Sequence, residues 1–177
     1  MKQRILLTLL AVALIPATAG AVGIGAAAYI GTSTPVLNEG AKSGVQYGLR
    51  APVSLTPMLI VEPFYAQSAL GDVEESFGGQ TYTRSGPDVK TFGANAIFSF
   101  GDGLKFYPLV GIGSTTIEQT GAEDITDTSL NFGLGLGIPV MARFTIDVRA
   151  ELNSVITGDT SRKFGNFTGG VSYALFE

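Results

Sequence analysis

The 177-residue chain has no histidine, no cysteine and no tryptophan. Without cysteine there is no disulfide framework, no thiol nucleophile and no thiolate-bound metal. Without histidine the side chain most often poised as a general base near neutral pH is missing. Charge is sparse and slightly acidic, 11 Lys+Arg against 15 Asp+Glu for a net −4, which excludes the basic footprint of a nucleic-acid partner. There is no EF-hand pattern and no glycine-rich phosphate cradle leading into a helix. The acidic residues of the polar stretches, such as Glu74, Glu75, Glu123 and Asp124, read as solvated charge. Beyond the N-terminus no run approaches the ~20 apolar residues of a spanning helix.

The chain is nevertheless hydrophobic on average, with a mean hydropathy of +0.32, and it holds 24 glycines. Its one apolar run, "ILLTLLAVALI" at residues 5–15, follows Lys2 and Arg4, is broken by Pro16 and precedes small residues. A short apolar core behind a positive start is a secretory signal peptide, too short for an anchor. Cleavage after Ala21, in Ala19-x-Ala21, makes residues 1–21 the signal peptide and residues 22–177 one exported domain; cleavage after Ala19 also fits.

The exported part alternates with period two. In "SLNFGLGLGIPV" (129–140), Leu130, Phe132, Leu134, Leu136, Ile138 and Val140 share one face, and Asn131, Gly133, Gly135 and Gly137 the other. In "RFTIDVRAELN", Phe144, Ile146, Val148, Ala150 and Leu152 oppose Thr145, Asp147, Arg149, Glu151 and Asn153. A helix would set Asp147 beside Glu151 and scatter the apolar set. Eight such segments run over 22–30, 44–51, 58–67, 89–100, 104–116, 129–140, 143–154 and 164–176. Several reach the ~9–11 residues a tilted strand needs to cross a bilayer, whereas soluble strands average about five or six. The connections are long at 31–43, 68–88, 117–128 and 156–163, and shorter at 52–57, 101–103 and 141–142. Long loops at one end and short turns at the other predict an all-β fold, a closed eight-stranded antiparallel up-and-down transmembrane β-barrel. Hydrocarbon offers no water to backbone groups, so such a sheet must close on itself.

With the apolar faces turned outward, Leu130, Phe132, Leu134, Leu136, Ile138, Phe144, Ile146 and Val148 are lipid-facing. Arg50, Glu62, Asn95, Lys105, Asn131, Asp147, Arg149 and Glu151 then line the lumen. An eight-stranded interior is just wide enough for side chains to fill, and a buried charge is costly unless paired. Three basic and three acidic groups therefore predict a bore-filling network, with the glycines making room. Same-face neighbours on one strand stand about 7 Å apart, so the partner of Arg149 is sought on another strand, with Glu62 first. Phe100, Phe106, Phe144 and Phe176 fall near the short turns, and Tyr65, Phe132, Phe164 and Phe167 nearer the long loops, as two interfacial girdles. Pro63 and Pro108 cannot donate to a ladder. They predict bulges, or a weakened seam beside the fourth segment with Met58, Ile60 and Phe64 lining an apolar pocket.

The signal peptide, the eight segments and the final "GNFTGGVSYALFE" together resemble the small eight-stranded outer-membrane β-barrel proteins of the OmpA/OmpX type. The resemblance is architectural and covers the whole exported chain. It implies the outer membrane of a Gram-negative-type bacterium, surrounding outer-membrane lipids, and a barrel-assembly machinery that reads the aromatic-rich last strand. That strand carries Phe167, Gly169, Val171, Tyr173 and Leu175, with Phe176 set one place from the end by Glu177. The periplasmic peptidoglycan-binding domain of some members is not expected. Enzymes sharing this architecture use a catalytic histidine, so no catalytic residue, cofactor or metal is assigned. The expectation is a monomer with a structural or surface-interaction role, an extracellular partner the sequence does not identify, and no nucleic acid. A narrow porin-like channel and a secreted, soluble lipocalin-like barrel for a hydrophobic ligand stand as alternatives.

Overall fold

The computed structural model describes residues 23–36, 41–119, 121, 123–156 and 161–176; the signal peptide and its cleavage after Ala21 lie outside them. Ten strands form: β1 (Gly23–Val36), β2 (Ala41–Arg50), β3 (Val53–Ser54), β4 (Leu59–Phe77), β5 (Gln80–Arg84), β6 (Asp88–Phe98), β7 (Lys105–Glu118), β8 (Ile125–Met141), β9 (Phe144–Ile156) and β10 (Ser161–Phe176). β3 continues the line of β2, pairing β1 and β4 in the same register past an interruption at Ala51 and Pro52. β5 pairs only β4. The remaining strands pair in sequence order, and β1 pairs β10 antiparallel from Val36 to Ile24, closing a ring of eight staves. Closure leaves no free sheet edge in the ring, the one arrangement in which strands satisfy their backbone groups without water.

The pleat sends alternate side chains to opposite faces. Phe132, Leu134, Leu136, Ile138, Phe144, Ile146 and Val148 are exposed on the outer face, and Leu130, above them, is half-buried. No charge interrupts the outer face of β8 from Leu130 to Val140 or of β9 from Phe144 to Leu152. In water this would be an apolar patch far beyond what a soluble monomer tolerates. Exposed aromatics cluster toward both ends, with Phe98, Phe100, Phe106 and Phe144 near the short turns and Tyr47, Tyr65, Phe92, Phe132 and Phe167 nearer the long loops. Phe164 does not join them. It is 3% exposed and packs inside with Leu70, Val89, Ile117 and Val155, because it shares the inward face of β10 with Asn166 and Thr168.

Several strands outrun their apolar periodicity at the long-loop end. β1 extends to Val36, β8 begins at Ile125, and the stretch 68–88 is a hairpin of β4 and β5 rather than an open loop. The hairpin turns at Gly78 and Gly79, both with positive φ (61° and 81°), as a tight two-residue β-turn requires. The outward apolar alternation stops before these extensions end, although Leu70 and Val73 of β4 remain buried; the ladder continues regardless, and Thr116 and Thr126 pair across β7 and β8 with their hydroxyls 3.0 Å apart.

Pro63 and Pro108 cause neither a bulge nor an opening. Pro63 pairs Ala94 within an unbroken β4–β6 register from Leu59 to Ala69. On its other side the Ala51 N–H donates to the Pro63 carbonyl at 2.9 Å, so only the return bond of that pair is lost. Pro52 repeats the pattern, accepting from the Gly25 N–H at 2.8 Å. Pro108 pairs Leu134 in continuous register. Its β6 side resumes in step at Phe100 and Phe106, which exchange two 2.9 Å bonds. Each proline removes half of one reciprocal pair, and the ladder on either side holds the register. The apolar pocket is not formed either. Phe64 is buried with Tyr29 and Ala66, Ile60 packs against Ile97, Tyr107 and Leu109, and Met58 is exposed.

Candidate functional site

The middle of the bore holds a cluster of five charges. Arg149, from β9, donates both terminal nitrogens to Glu62 of β4, Nη1 to Oε1 at 2.6 Å and Nη2 to Oε2 at 2.8 Å. Such a bidentate pair fixes both side chains in plane and is among the stronger hydrogen-bonded ion pairs. Arg50, from β2, donates Nη1 to Asp147 Oδ1 at 2.9 Å and Nη2 to the Thr168 hydroxyl at 3.1 Å. Asp147 Oδ1 also stands 3.0 Å from Arg149 Nε, and Glu151 Oε1 lies 3.6 and 3.7 Å from Arg50 and Arg149. Arg149 thus meets Glu62 on another strand and also the two acids of its own strand. The 7 Å backbone spacing does not limit side chains of this length. Glu62 is 1% exposed, and Arg50, Asp147 and Arg149 are buried with it.

Lys105 does not take part. It has the inward parity of β7 but sits at the first residue of the strand, exposed at the short-turn mouth. Alternation reveals a residue's face and not its height in the bore. The balance is therefore two guanidiniums against three carboxylates.

Two tyrosines absent from the predicted network complete it. Tyr29 lies under the Arg50 guanidinium, 3.7 Å from ring centroid to Cζ, and Tyr107 accepts from Arg149 Nε at 2.8 Å. Each ring covers a glycine on the neighbouring strand, for Tyr29 pairs Gly48 and Tyr107 pairs Gly135. A Cβ on Gly135 would fall 2.3 Å from Tyr107 Cε2 and Cζ, and one on Gly133 2.9 Å from Glu151 Cγ. Gly135 and Gly133 of the sixth predicted segment are thus the spaces that Tyr107 and Glu151 fill. Gly135→Ala should displace Tyr107 from Arg149 and cost about 1–3 kcal/mol, the range for overpacking a tight core. Gly137, whose Cβ would meet nothing nearer than Thr145 Cγ2 at 3.4 Å, provides the control. Urea unfolding in lipid vesicles should leave Gly137→Ala near wild type, and a Tyr107→Ala background should erase most of the Gly135→Ala cost.

A ring of eight antiparallel staves with apolar outside and charged inside fits the family described as "Outer membrane protein beta-barrel domain", which matches residues 5–174. The chain belongs to this family. Among solved structures, Neisserial surface protein A (NspA) superposes with a TM-score of 0.69 at 17% identity, covering 87% of this chain and 98% of that one. The N-terminal β-barrel domain of Pseudomonas aeruginosa OprF gives 0.58 at 14% identity, covering 86% and 99%. Ail, the attachment invasion locus protein of Yersinia pestis, gives 0.53 at 21% identity, covering 86% and 99%. At these identities the likeness establishes fold. A search of curated proteins gives no sequence match. As an outer-membrane barrel of the Gram-negative type, the protein meets lipid on its outer face.

In this outer-membrane barrel the bore is layered. Nearest the long loops lies the apolar layer of Leu70, Val89, Ile117, Val155 and Phe164. Hydroxyls are bonded Thr91 to Thr115 and Thr115 to Ser129, each at 2.9 Å. Amides run from Asn153 Nδ2 to Asn131 Oδ1 at 2.7 Å and from Asn131 Nδ2 to Asn95 Oδ1 at 3.3 Å. Asn95 and Asn131 thus belong to this amide row and not to the ion pairs. On the short-turn side, Ile97, Tyr107 and Leu109 form a second apolar layer. A cavity of ≈ 630 Å³ opens on this side, lined by Asp102, Lys105 and Arg143 and reaching Glu62, Asp147 and Arg149 of the charged cluster.

Proposed function

We propose that the protein is a closed, monomeric outer-membrane barrel without enzymatic activity. Its lumen is plugged by the charged layer, and its role is structural or one of surface interaction. The observation that carries this reading is the mutual burial of Arg50, Glu62, Asp147 and Arg149 across the middle of the bore. Packed side chains leave no continuous water there, and an eight-stranded barrel has no width to spare. Polar strand extensions and the β4–β5 hairpin, whose residues Gln80 to Arg84 are all exposed, support a contact surface at the long-loop end. Two structural neighbours bear names of surface and attachment proteins, which fits the same role. The ring closed by β1 and β10 needs no second copy, and the aromatic last strand is suited to the barrel-assembly machinery. Planar-bilayer recording should give no large steady conductance; a stable open level in wild type would favour the narrow channel instead.

Orientation follows from the same reading, with the termini and the turns near Pro52, Gly101 and Met141 in the periplasm and the hairpin outside. The cysteine-free sequence allows a clean test. Thr81→Cys should react with a membrane-impermeant maleimide on intact cells, and Asp102→Cys only after the outer membrane is permeabilised. The reverse pattern would invert the barrel.

A further inference from the structure

Above the ion pairs the bore holds a second, small cavity of ≈ 20 Å³, room for one water-sized occupant. Its walls include Gln46, Glu151, Asn153 and Asn166. Among the described residues these four hold every buried side-chain atom without a hydrogen-bond partner: Gln46 Oε1, Glu151 Oε1, Asn153 Oδ1 and Asn166 Oδ1. All four atoms are acceptors. Gln46, Asn153 and Asn166 are each more than nine-tenths buried. Asn153 spends its Nδ2 on Asn131 Oδ1, leaving its oxygen as the unpartnered atom of that amide. Buried oxygens of this kind are rare in native proteins because each forfeits its hydration.

The charge count points the same way. The cluster beside the cavity pairs two guanidiniums with three carboxylates, an excess of one negative charge. Glu151 is the carboxylate held least closely, its Oε1 no nearer than 3.6 Å to either arginine. We propose that this cavity binds a single dehydrated alkali cation, sodium or potassium, between Glu151 and the amide oxygens of Gln46, Asn153 and Asn166. A water has two protons to donate and would leave two of the four oxygens unserved; a cation serves all four and cancels the excess charge. A divalent ion fits less well. Calcium takes six to eight oxygens and magnesium keeps near-octahedral geometry with several waters, and either would leave an excess positive charge. The proposal deepens the reading of the lumen as a packed polar core, and its test is independent of conductance.

The purified protein is unfolded and refolded into detergent in choline, sodium or thallous acetate at equal ionic strength, so that access to the cavity is not limiting. Wild type should unfold at a higher urea midpoint in sodium or thallium than in choline, because an ion that binds only the folded state stabilises it by mass action. Crystals of the thallium-refolded protein should show an anomalous peak between Glu151 and Asn153. Glu151→Gln removes the excess charge and should abolish both the peak and the salt dependence. Equal wild-type midpoints in all three salts would overturn the proposal. So would the absence of a thallium peak, a water refined there at ordinary hydrogen-bond lengths, or a salt dependence that persists in Glu151→Gln. Should that variant not refold, Asn166→Leu, which removes an oxygen and fills the cavity, serves in its place, and the wild-type thallium map decides by itself.

Discussion

Arg149→Ala should destabilise the barrel by about 3–5 kcal/mol, the cost of leaving a buried charge without its partner. Glu62 is 1% exposed and receives two of its hydrogen bonds from Arg149. Its nearest remaining cation is then Arg50 Nε at 3.9 Å, too far for a hydrogen bond. Most of the loss therefore belongs to the stranded carboxylate rather than to the missing contacts. The double variant Arg149→Met with Glu62→Leu tests this, for replacing both members of a buried pair with well-packed apolar groups is often neutral or stabilising. It should recover most of what Arg149→Ala loses in urea unfolding from vesicles. An open channel would respond otherwise. Its walls are hydrated, so Arg149→Ala would change ion selectivity while leaving stability nearly intact. That outcome, with a large wild-type conductance, would replace the plugged lumen with a pore.

How much of this was legible in the sequence depends on what period-two alternation carries. It separates the two faces of β8 and β9 residue by residue, because each strand lies between hydrocarbon and a polar bore, and it sorts Arg50, Glu62 and Asp147 to the same side. It carries no height. Lys105 shares the inward parity of Tyr107, yet one lies exposed at the mouth and the other is buried on Arg149. Alternation also understates strand length. Beyond the bilayer the outer face meets water, so the extensions of β1, β4 and β8 lose the outward apolar alternation, although Leu70 of β4 still packs into the apolar layer inside. The tyrosines escape a sequence reading because an aromatic on a strand reads first as girdle or core, while Tyr29 and Tyr107 lie against Arg50 and Arg149. Their signal was present in the inward glycines, since a glycine facing a crowded lumen calls for a large neighbour. Phe164 is the converse case, an aromatic near a rim that parity with Asn166 assigns to the inside.

Leu134→Arg is the test of what surrounds the barrel. Leu134 is 53% exposed on the outer face of β8, midway along the apolar run from Leu130 to Val140, and pairs Pro108 and Ala150 on the neighbouring strands. In water an arginine there would be welcome: the site is open, nothing packs tightly over it, and the charge would be hydrated. In hydrocarbon the same substitution costs about 2–4 kcal/mol near the bilayer midplane, falling to about 0–1 kcal/mol toward the interfaces. The environment and not the contact list sets the sign, which is why the experiment discriminates. Met141→Arg supplies the matched reference, for Met141 is 70% exposed at the short-turn end of the same strand, where the side chain reaches water. Urea unfolding in lipid vesicles should show Leu134→Arg far less stable than wild type and Met141→Arg close to it. Equal stability of all three would mean that no hydrocarbon touches β8, and the secreted soluble barrel would take the place of the membrane protein.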